Sequence, residues 1–310
     1  MPGALIASLR DRCRTVAERA RCVRIDAAAV PAYAASLALH RATAAGPGAL
    51  LADPVQRERQ AAYWLTLDAI NFGSGWFPTL RKHGRTGYRT IAAGVDRRFT
   101  ERGPWNADEL AGMTAGELAD WLGQDPDHEL VRLFVASLRD LGAHLLVASG
   151  GSFSGMVDGC GGSAVGLAET LAGWDCFADS SLYDGVALPF LKRAQLAAAD
   201  LARAGVAGFD DLGALTMFAD NLVPHVLRLD GLLWFDPGLV ERVEREQLIE
   251  HGSPEEVEIR ACAVHAVELI VAASPFPATT AAAVDQVLWN RGQGPFYKGR
   301  PRHRSRSTAY

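Results

Sequence analysis

Residues that favour helices dominate this chain, and this constrains its fold more than any other feature. Ala, Leu, Arg and Glu recur throughout the sequence, whereas alternating runs of β-branched residues are scarce. The pattern predicts an all-α fold that is nearly continuous in helix, including helices over 186–205 and 210–219. No shift in composition and no internal repeat divides the 310 residues. We therefore predict one globular helical domain over residues 1–297, which is long enough for a large core.

A basic stretch ends the sequence. Residues 298–306 read Lys-Gly-Arg-Pro-Arg-His-Arg-Ser-Arg. Charge of one sign near a chain end is typical of a solvated segment. We predict a flexible tail over 298–310.

One carboxylate, Asp220, stands inside an otherwise apolar run over residues 215–227. Leu215, Phe218 and Leu222 follow helical spacing, so the run is expected to face a core. Burying an ionised carboxylate costs several kcal/mol unless it is paired or hydrogen-bonded. Two roles fit Asp220 and can coexist. It can cap a helix that begins near Pro224, or it can serve chemistry.

Charge and cysteine content exclude several classes of protein. The formal net charge is -5, which argues against a long DNA or RNA partner, because such binding depends on Lys and Arg at the phosphates. A small anionic ligand needs only one basic pocket. The five cysteines are scattered without a CxxC pair, so we expect no disulfide framework, no zinc site and a cytoplasmic location. No apolar run approaches the roughly 18 residues that span a membrane.

Familiar catalytic and nucleotide-binding motifs are missing from the sequence. It contains no HExxH, GxSxG, GxGxxG or GxxxxGK[ST] pattern. Two glycine clusters, at 150–151 and 159–162, fit tight connections between helices.

Instead, polar residues recur within apolar helical surroundings. Asp68 and Asn71 precede Phe72, and Lys192 and Arg193 follow an apolar pair. Asp285 lies four residues before Trp289, so both share one helical face. Each residue alone fits a structural role. Together, carboxylates, aromatic rings and a basic pair suit a planar heterocycle that carries an anionic group such as phosphate.

Five segments of the chain resemble the queuosine salvage protein family, the queuosine 5'-phosphate N-glycosylases. They are residues 67–72, 150–153, 190–195, 215–220 and 258–261. The segment from Asp285 to Trp289 follows in the expected place, and the resemblance spans roughly residues 30–295. It implies an all-helical fold similar to the helix-hairpin-helix DNA glycosylases. It also implies hydrolysis of queuosine 5'-phosphate to queuine and ribose 5-phosphate, without a cofactor or metal.

The resemblance also implies roles for individual residues. It makes Asp220 the catalytic carboxylate and assigns Lys192 to the 5'-phosphate. The remaining substrate-binding residues that it indicates are His40, Asn71, Phe72, Phe218, Ala219, Asp285 and Trp289.

These residue types fit the chemistry of N-glycosidic cleavage. Positive charge develops on the ribose, so a fixed carboxylate near the anomeric carbon stabilises the transition state. Covalent attack by Asp220 and simple electrostatic stabilisation are both compatible with the sequence. A 7-deazaguanine lacks the ring nitrogen that purine glycosidases protonate. Help for the leaving group must therefore come from hydrogen bonds to the pyrimidine edge, from Asp285 or a water.

The sequence departs from the family pattern at two places. Residues 71–76 read Asn-Phe-Gly-Ser-Gly-Trp where the family has Asn-Phe-x-Phe-Trp, and Arg89 follows Gly87-Tyr88 where Trp is expected. Small residues in the first segment predict an altered, enlarged pocket wall. The pocket then suits queuosine, a precursor or another modified nucleoside.

Two other functions remain open at this point. A glycosylase acting on DNA or tRNA would extrude a base into a similar pocket and grip the flanking phosphates. A non-catalytic protein that carries or senses a deazapurine would use Asp220 only as a hydrogen-bonding group.

Overall fold

The computed structural model describes residues 4–39 and 48–310, and these residues are mostly helical. The helices in the described part are α1 (Ala4–Arg19), α2 (Val30–Ser36), α3 (Pro54–Ala69), α4 (Gly87–Arg102), α5 (Ala107–Ala111), α6 (Ala115–Leu122), α7 (Glu129–Ser149), α8 (Phe153–Asp158), α9 (Ala164–Ala172), α10 (Lys192–Arg203), α11 (Leu222–Leu229), α12 (Pro237–Glu244), α13 (Pro254–Ala273), α14 (Ala281–Arg291) and α15 (Pro295–Lys298). None of the described helices is long and apolar enough to cross a membrane.

The predicted helical fold is confirmed in its main character, and four short strands accompany the helices. Two antiparallel pairs form, one between β1 (Val23–Ile25) and β4 (Leu233–Phe235), the other between β2 (Ser180–Tyr183) and β3 (Val186–Pro189). Strands of three or four residues are too short for a periodic pattern to reveal them.

The β2–β3 hairpin contradicts the helix predicted over 186–205. Asp184 and Gly185 both have positive φ, which is the geometry of a two-residue hairpin turn. Asp-Gly is a strong local signal for such a turn, and the helical reading overlooked it. The helix begins only at Lys192, directly after Leu191, whose φ of +52° is strained for a β-carbon-bearing residue.

Two apolar clusters form the core, and residues 215–219 lie where they meet. The first cluster contains α3, α5, α7 and α9, and the second is built around α13 with α1 and α11. Leu215 and Phe218 belong to the first cluster, whereas Met217 and Ala219 belong to the second. The segment is therefore buried on both sides.

The basic segment 298–310 is packed against the body of the protein, which corrects the predicted flexible tail. His303, Ser305 and Tyr310 are buried. The main chain is also fixed: the N–H of Gly73 donates to the Tyr310 oxygen at 3.0 Å, and that of Ile249 to Arg304 at 2.9 Å. Arg304 and Arg306 reach the carboxylates of Glu246 and Glu129 toward the surface, while His303, Ser305 and Tyr310 face inward.

Candidate active site

A cavity of about 190 Å³ opens between α3, α4, α10, α14 and the segments around 218–222 and 298–310. Seven of the nine residues predicted for the site line it: Asn71, Phe72, Lys192, Phe218, Asp220, Asp285 and Trp289. Ala219 is buried behind this surface, and His40 lies outside the described residues. Residues distant in sequence are thus brought together around one space.

Residues 215–220 follow an irregular path, which corrects the helix predicted over 210–219. The structure has a single 3-10 turn at Leu212–Ala214, and the chain then runs without regular structure to α11. The spacing of Leu215, Phe218 and Leu222 was misleading, because neighbouring residues are buried as well. A chain buried on both sides shows no amphipathic period.

Side chains from three helices satisfy the main chain of this segment. The N–H of Thr216 donates to Gln195 Oε1 at 2.8 Å, and that of Phe218 to Asp285 Oδ1 at 3.0 Å. Arg260 Nε donates to the Ala219 oxygen at 2.9 Å. Buried main-chain groups need such partners when they are not in a helix or sheet. The site segment is therefore fixed from α10, α13 and α14 together.

Asp220 caps α11 and also lines the cavity. Its Oδ1 accepts hydrogen bonds from the N–H groups of Leu222 at 2.8 Å and Val223 at 3.1 Å. No hydrogen bond to Oδ2 occurs among the described residues, and the side chain is half-buried. The capping role predicted from sequence is thus present, and it holds one edge of the carboxylate while the other remains available.

Asp285 is a second carboxyl group in the cavity, in a different electrostatic state. It is buried, and burial together with the nearby charge of Asp220 raises its pKa well above the usual range. The shift favours the protonated form of Asp285. A neutral carboxylic acid close to a second carboxyl group is an arrangement used for acid–base chemistry.

Lys192 lies at the buried start of α10. Its Nζ donates to the Asn71 oxygen at 3.0 Å, and its main-chain N–H donates to Asp179 Oδ2 at 2.9 Å. Burial lowers the pKa of its amine, opposed by the negative charges of Asp220 and Asp68. Lys192 thus carries its charge among carboxyl groups.

The other polar residues noted in the sequence have mixed roles. Asp68 is buried, and burial together with Asp200 raises its pKa well above the usual range. Arg193 is also buried, and it donates to the Ala69 oxygen at 2.6 Å and lies over the Phe72 ring at 4.9 Å. It does not line the cavity. Arg193 therefore supports the residues around Phe72 from behind.

The aromatic residues give the cavity flat apolar walls. Phe218 and Trp289 line it, and Tyr88 meets Trp289 edge-to-face at 6.4 Å. Such walls suit a planar ring system, whose faces stack on aromatic side chains.

Sequence reasoning missed several polar residues that line the cavity, among them Asp200, Arg203, Lys298, Arg302 and Tyr310. A signal for the first two was present. Lys192, Asp200 and Arg203 recur at helical spacing, so they share one face of α10. Burial raises the pKa of Asp200 to about 6, and Arg203 forms an ion pair with it. The other three belong to the segment that was predicted to be solvated.

The glycines at 73 and 75 make room for protein rather than for a larger pocket. A Cβ on Gly75 would lie 2.6 Å from the Ser305 oxygen, and one on Gly73 would lie 2.5 Å from Leu130 Cδ1. Only Ser74 of these three residues lines the cavity, together with Tyr310. The 298–310 segment thus occupies the space that a larger side chain at 75 would take, and Leu130 occupies the space at 73.

Taken together, the cavity combines a fixed carboxylate, a second carboxyl group with a raised pKa, aromatic walls and several cations, which is the equipment of an enzyme acting on a small nucleotide-like molecule. A family model described as queuosine salvage protein matches residues 52–310, and the chain belongs to that family.

Curated relatives carry one common name. A queuosine 5'-phosphate N-glycosylase/hydrolase of Sphaerobacter thermophilus is 35% identical over 309 residues, covering 96% of each chain. The proteins of that name from Dictyostelium discoideum and Bos taurus are 32% and 31% identical. These matches cover 82% and 84% of this chain, and 79% and 83% of the relatives.

Proposed function

We propose that this protein hydrolyses the N-glycosidic bond of queuosine 5'-phosphate and releases queuine and ribose 5-phosphate. Membership of the family and the shared name of the curated relatives support this activity. The observation that carries it in the structure is the pairing of two carboxyl groups. Asp220 is fixed by two main-chain N–H groups, and burial together with Asp220 raises the pKa of Asp285, which lines the same cavity.

In the proposed reaction, the bond between the ribose C1' and the base nitrogen breaks, and the electron pair leaves with the base. The carboxylate of Asp220 stabilises the positive charge that develops on the ribose. A water molecule adds its oxygen to C1' and loses one proton. The departing base gains one proton, so the overall reaction consumes one water. Because the cap hydrogen bonds already orient Asp220, little reorganisation is needed as the charge develops.

Asp285 is proposed to assist the leaving base. A deazaguanine ring has no imidazole-type nitrogen to protonate, so a donor must act at the pyrimidine edge. A neutral carboxyl group can donate a hydrogen bond, and its raised pKa makes it an acid suited to neutral pH. The N–H of Phe218 donates to Asp285 Oδ1 and holds this carboxyl group in place.

The remaining predicted contacts complete the proposed base pocket. Phe218 and Trp289 flank the ring, with Asn71 and Phe72 on the opposite wall. Ala219 is proposed to act through its main chain beside the base. His40 stays a prediction. The assignment of Lys192 to the 5'-phosphate also stays a prediction, and the cations of the cavity bear on it below.

Three further expectations stay proposals. The similarity to helix-hairpin-helix DNA glycosylases rests on the sequence resemblance. The absence of a long nucleic-acid partner rests on the net charge. A cytoplasmic location rests on the cysteine pattern. Superposition of the helices on such a glycosylase, and titration of an oligonucleotide at increasing salt, test the first two.

A substrate panel read by mass spectrometry tests the activity. It comprises queuosine, its 5'- and 3'-phosphates and precursor deazaguanine nucleotides, each incubated with parent protein and with Asp220→Asn. We expect free queuine from the 5'-phosphate with parent protein only. Turnover unchanged in Asp220→Asn would remove Asp220 from the mechanism, whereas binding without any turnover would favour the carrier function.

Asp236→Asn is the matched control for this panel. Asp236 also caps a helix, accepting from the N–H of Gly238 at 2.9 Å, but it does not line the cavity. It therefore undergoes the same chemical change without touching substrate. Full turnover in Asp236→Asn would show that the same Asp-to-Asn change at a helix cap outside the cavity does not abolish activity.

A further inference from the structure

Two cations that line the cavity have no carboxylate partner among the described residues. Lys298 ends α15, and Arg302 follows in the packed segment. The Nε of Arg302 is buried and has no hydrogen-bond partner. Burying an unpaired charge is costly, so such a pair is typical of a site that an anion completes.

Neighbouring arginines of the same segment are paired, which makes the contrast sharp. Arg304 lies 3.4 Å from Glu246, and Arg306 lies 3.4 Å from Glu129, both toward the surface. The protein therefore has carboxylates within reach of this segment. It places none against Lys298 or Arg302.

The electrostatics of Lys298 agree with this geometry. Burial and the positive charges of Arg302 and Arg89 lower the pKa of its amine to about 8. Asp220 acts in the opposite direction on both Lys298 and Arg302. The cations are thus close to one another and within electrostatic range of the proposed catalytic carboxylate.

Lys192 is a poorer candidate for the same anion. Its Nζ already donates to the Asn71 oxygen, and its charge is opposed by Asp68 as well as Asp220. Asp220 interacts electrostatically with Lys192 and also with Lys298 and Arg302. An anion beside Lys192 would face both Asp68 and Asp220, whereas one beside Lys298 and Arg302 would face Asp220 alone.

We propose that Lys298 and Arg302 form the subsite for the 5'-phosphate of the substrate, and that Lys192 instead positions Asp220. The subsite deepens the proposed function and rests on it. An Arg guanidinium binds a phosphate through two parallel N–H groups, and a Lys adds a compact charge. On a nucleotide, the 5'-phosphate is a few bonds from the anomeric carbon, which fits cations within electrostatic range of Asp220.

The test compares kcat/KM for queuosine 5'-phosphate with kcat/KM for queuosine in each variant. We expect Lys298→Met and Arg302→Met to reduce this ratio about tenfold or more, since hydrogen bonds between charged groups have that strength. Arg304→Met is the matched control, because it removes a cation of the same segment that has a carboxylate partner, and it should keep the parent ratio. Lys192→Met should lower kcat for both substrates and keep the ratio.

A second measurement follows binding of ribose 5-phosphate and ribose by calorimetry, and circular dichroism verifies that each variant is folded. Ribose 5-phosphate should bind the parent protein and Lys298→Arg. It should bind Lys298→Met weakly or not at all. An unchanged ratio and unchanged binding in both Met variants, or a ratio that falls only in Lys192→Met, would overturn the subsite. If parent protein turns over no nucleoside or nucleotide, the proposed function fails, while the calorimetry still decides on the subsite.

Discussion

Arg260 Nε donates to the carbonyl oxygen of Ala219 at 2.9 Å, so a buried guanidinium fixes the main chain one residue before Asp220. The same side chain lies 2.7 Å from Asp179, which in turn accepts from the N–H of Lys192. Its plane covers Phe190 at 4.0 Å and Tyr310 at 4.7 Å. One residue of α13 thus ties together the carboxylate segment, the start of α10 and the 298–310 segment.

Replacing Arg260 by Met should destabilise the protein by about 3–5 kcal/mol, because it leaves the carboxylates of Asp179 and Glu256 buried without their partner. Urea unfolding measures this loss. Arg242→Met breaks a more exposed pair with Glu255 and should cost under about 1 kcal/mol. Equal losses in the two variants would contradict the role given to the buried network.

The two roles of Asp220 are separable by comparing Asn with Ala. Asn caps a helix about as well as Asp, so Asp220→Asn should keep nearly the parent stability while turnover falls about a hundredfold or more. Asp220→Ala should lose the same turnover and about 1 kcal/mol of stability in addition. Thermal unfolding and initial rates measure the two effects. A stability loss in Asn equal to that in Ala would argue against the cap geometry.

The rate should depend on pH through Asp285. Its raised pKa extends the acid form to higher pH than for an ordinary Asp, so kcat should fall as pH rises through the pKa of Asp285 and the proton is lost. Asp285→Asn cannot supply a proton, so we expect kcat lower by about a hundredfold and without the alkaline decline. A pH–rate profile of both proteins measures this. The decline should persist in Asp236→Asn, and its persistence in Asp285→Asn would assign it to another group.

Gly75→Ala should displace the 298–310 segment, because the added Cβ would lie 2.6 Å from a main-chain oxygen. Overpacking of this kind costs about 1–3 kcal/mol, and we expect turnover to fall as well because Arg302 and Tyr310 line the cavity. Gly116→Ala is the opposite case. Gly116 lies in α6 with open space around it, so the same change should stabilise by about 0.5–1 kcal/mol. Chemical unfolding of both variants measures the change in the free energy of unfolding, which should be a loss for Gly75→Ala and a gain for Gly116→Ala.

Sequence reasoning identified the site better than it identified the path of the chain through it. Asp220, Asp285, Trp289 and Lys192 stood out because charged or aromatic residues in apolar surroundings are visible in sequence. The helical content was predicted because helix propensity is a local property of the sequence.

The errors arose where contacts distant in sequence decide the structure. Residues 215–220 are irregular because Gln195, Arg260 and Asp285 satisfy their main chain, and no local pattern announces those partners. Residues 298–310 were judged by their charge, although His303 and Tyr310 decide where they lie. Propensity gives way to tertiary contacts in both places.

The packing of residues 298–310 against Gly73 and Gly75 has a consequence for biosynthesis. Arg302 and Tyr310 leave the ribosome after every other residue that lines the cavity. A nascent chain can therefore collapse its two apolar clusters early, but it can complete the pocket wall only after Tyr310 has been synthesised. The step that finishes the site is the docking of a short segment onto a preformed groove, and a chain stalled before that segment would expose the groove to misassembly.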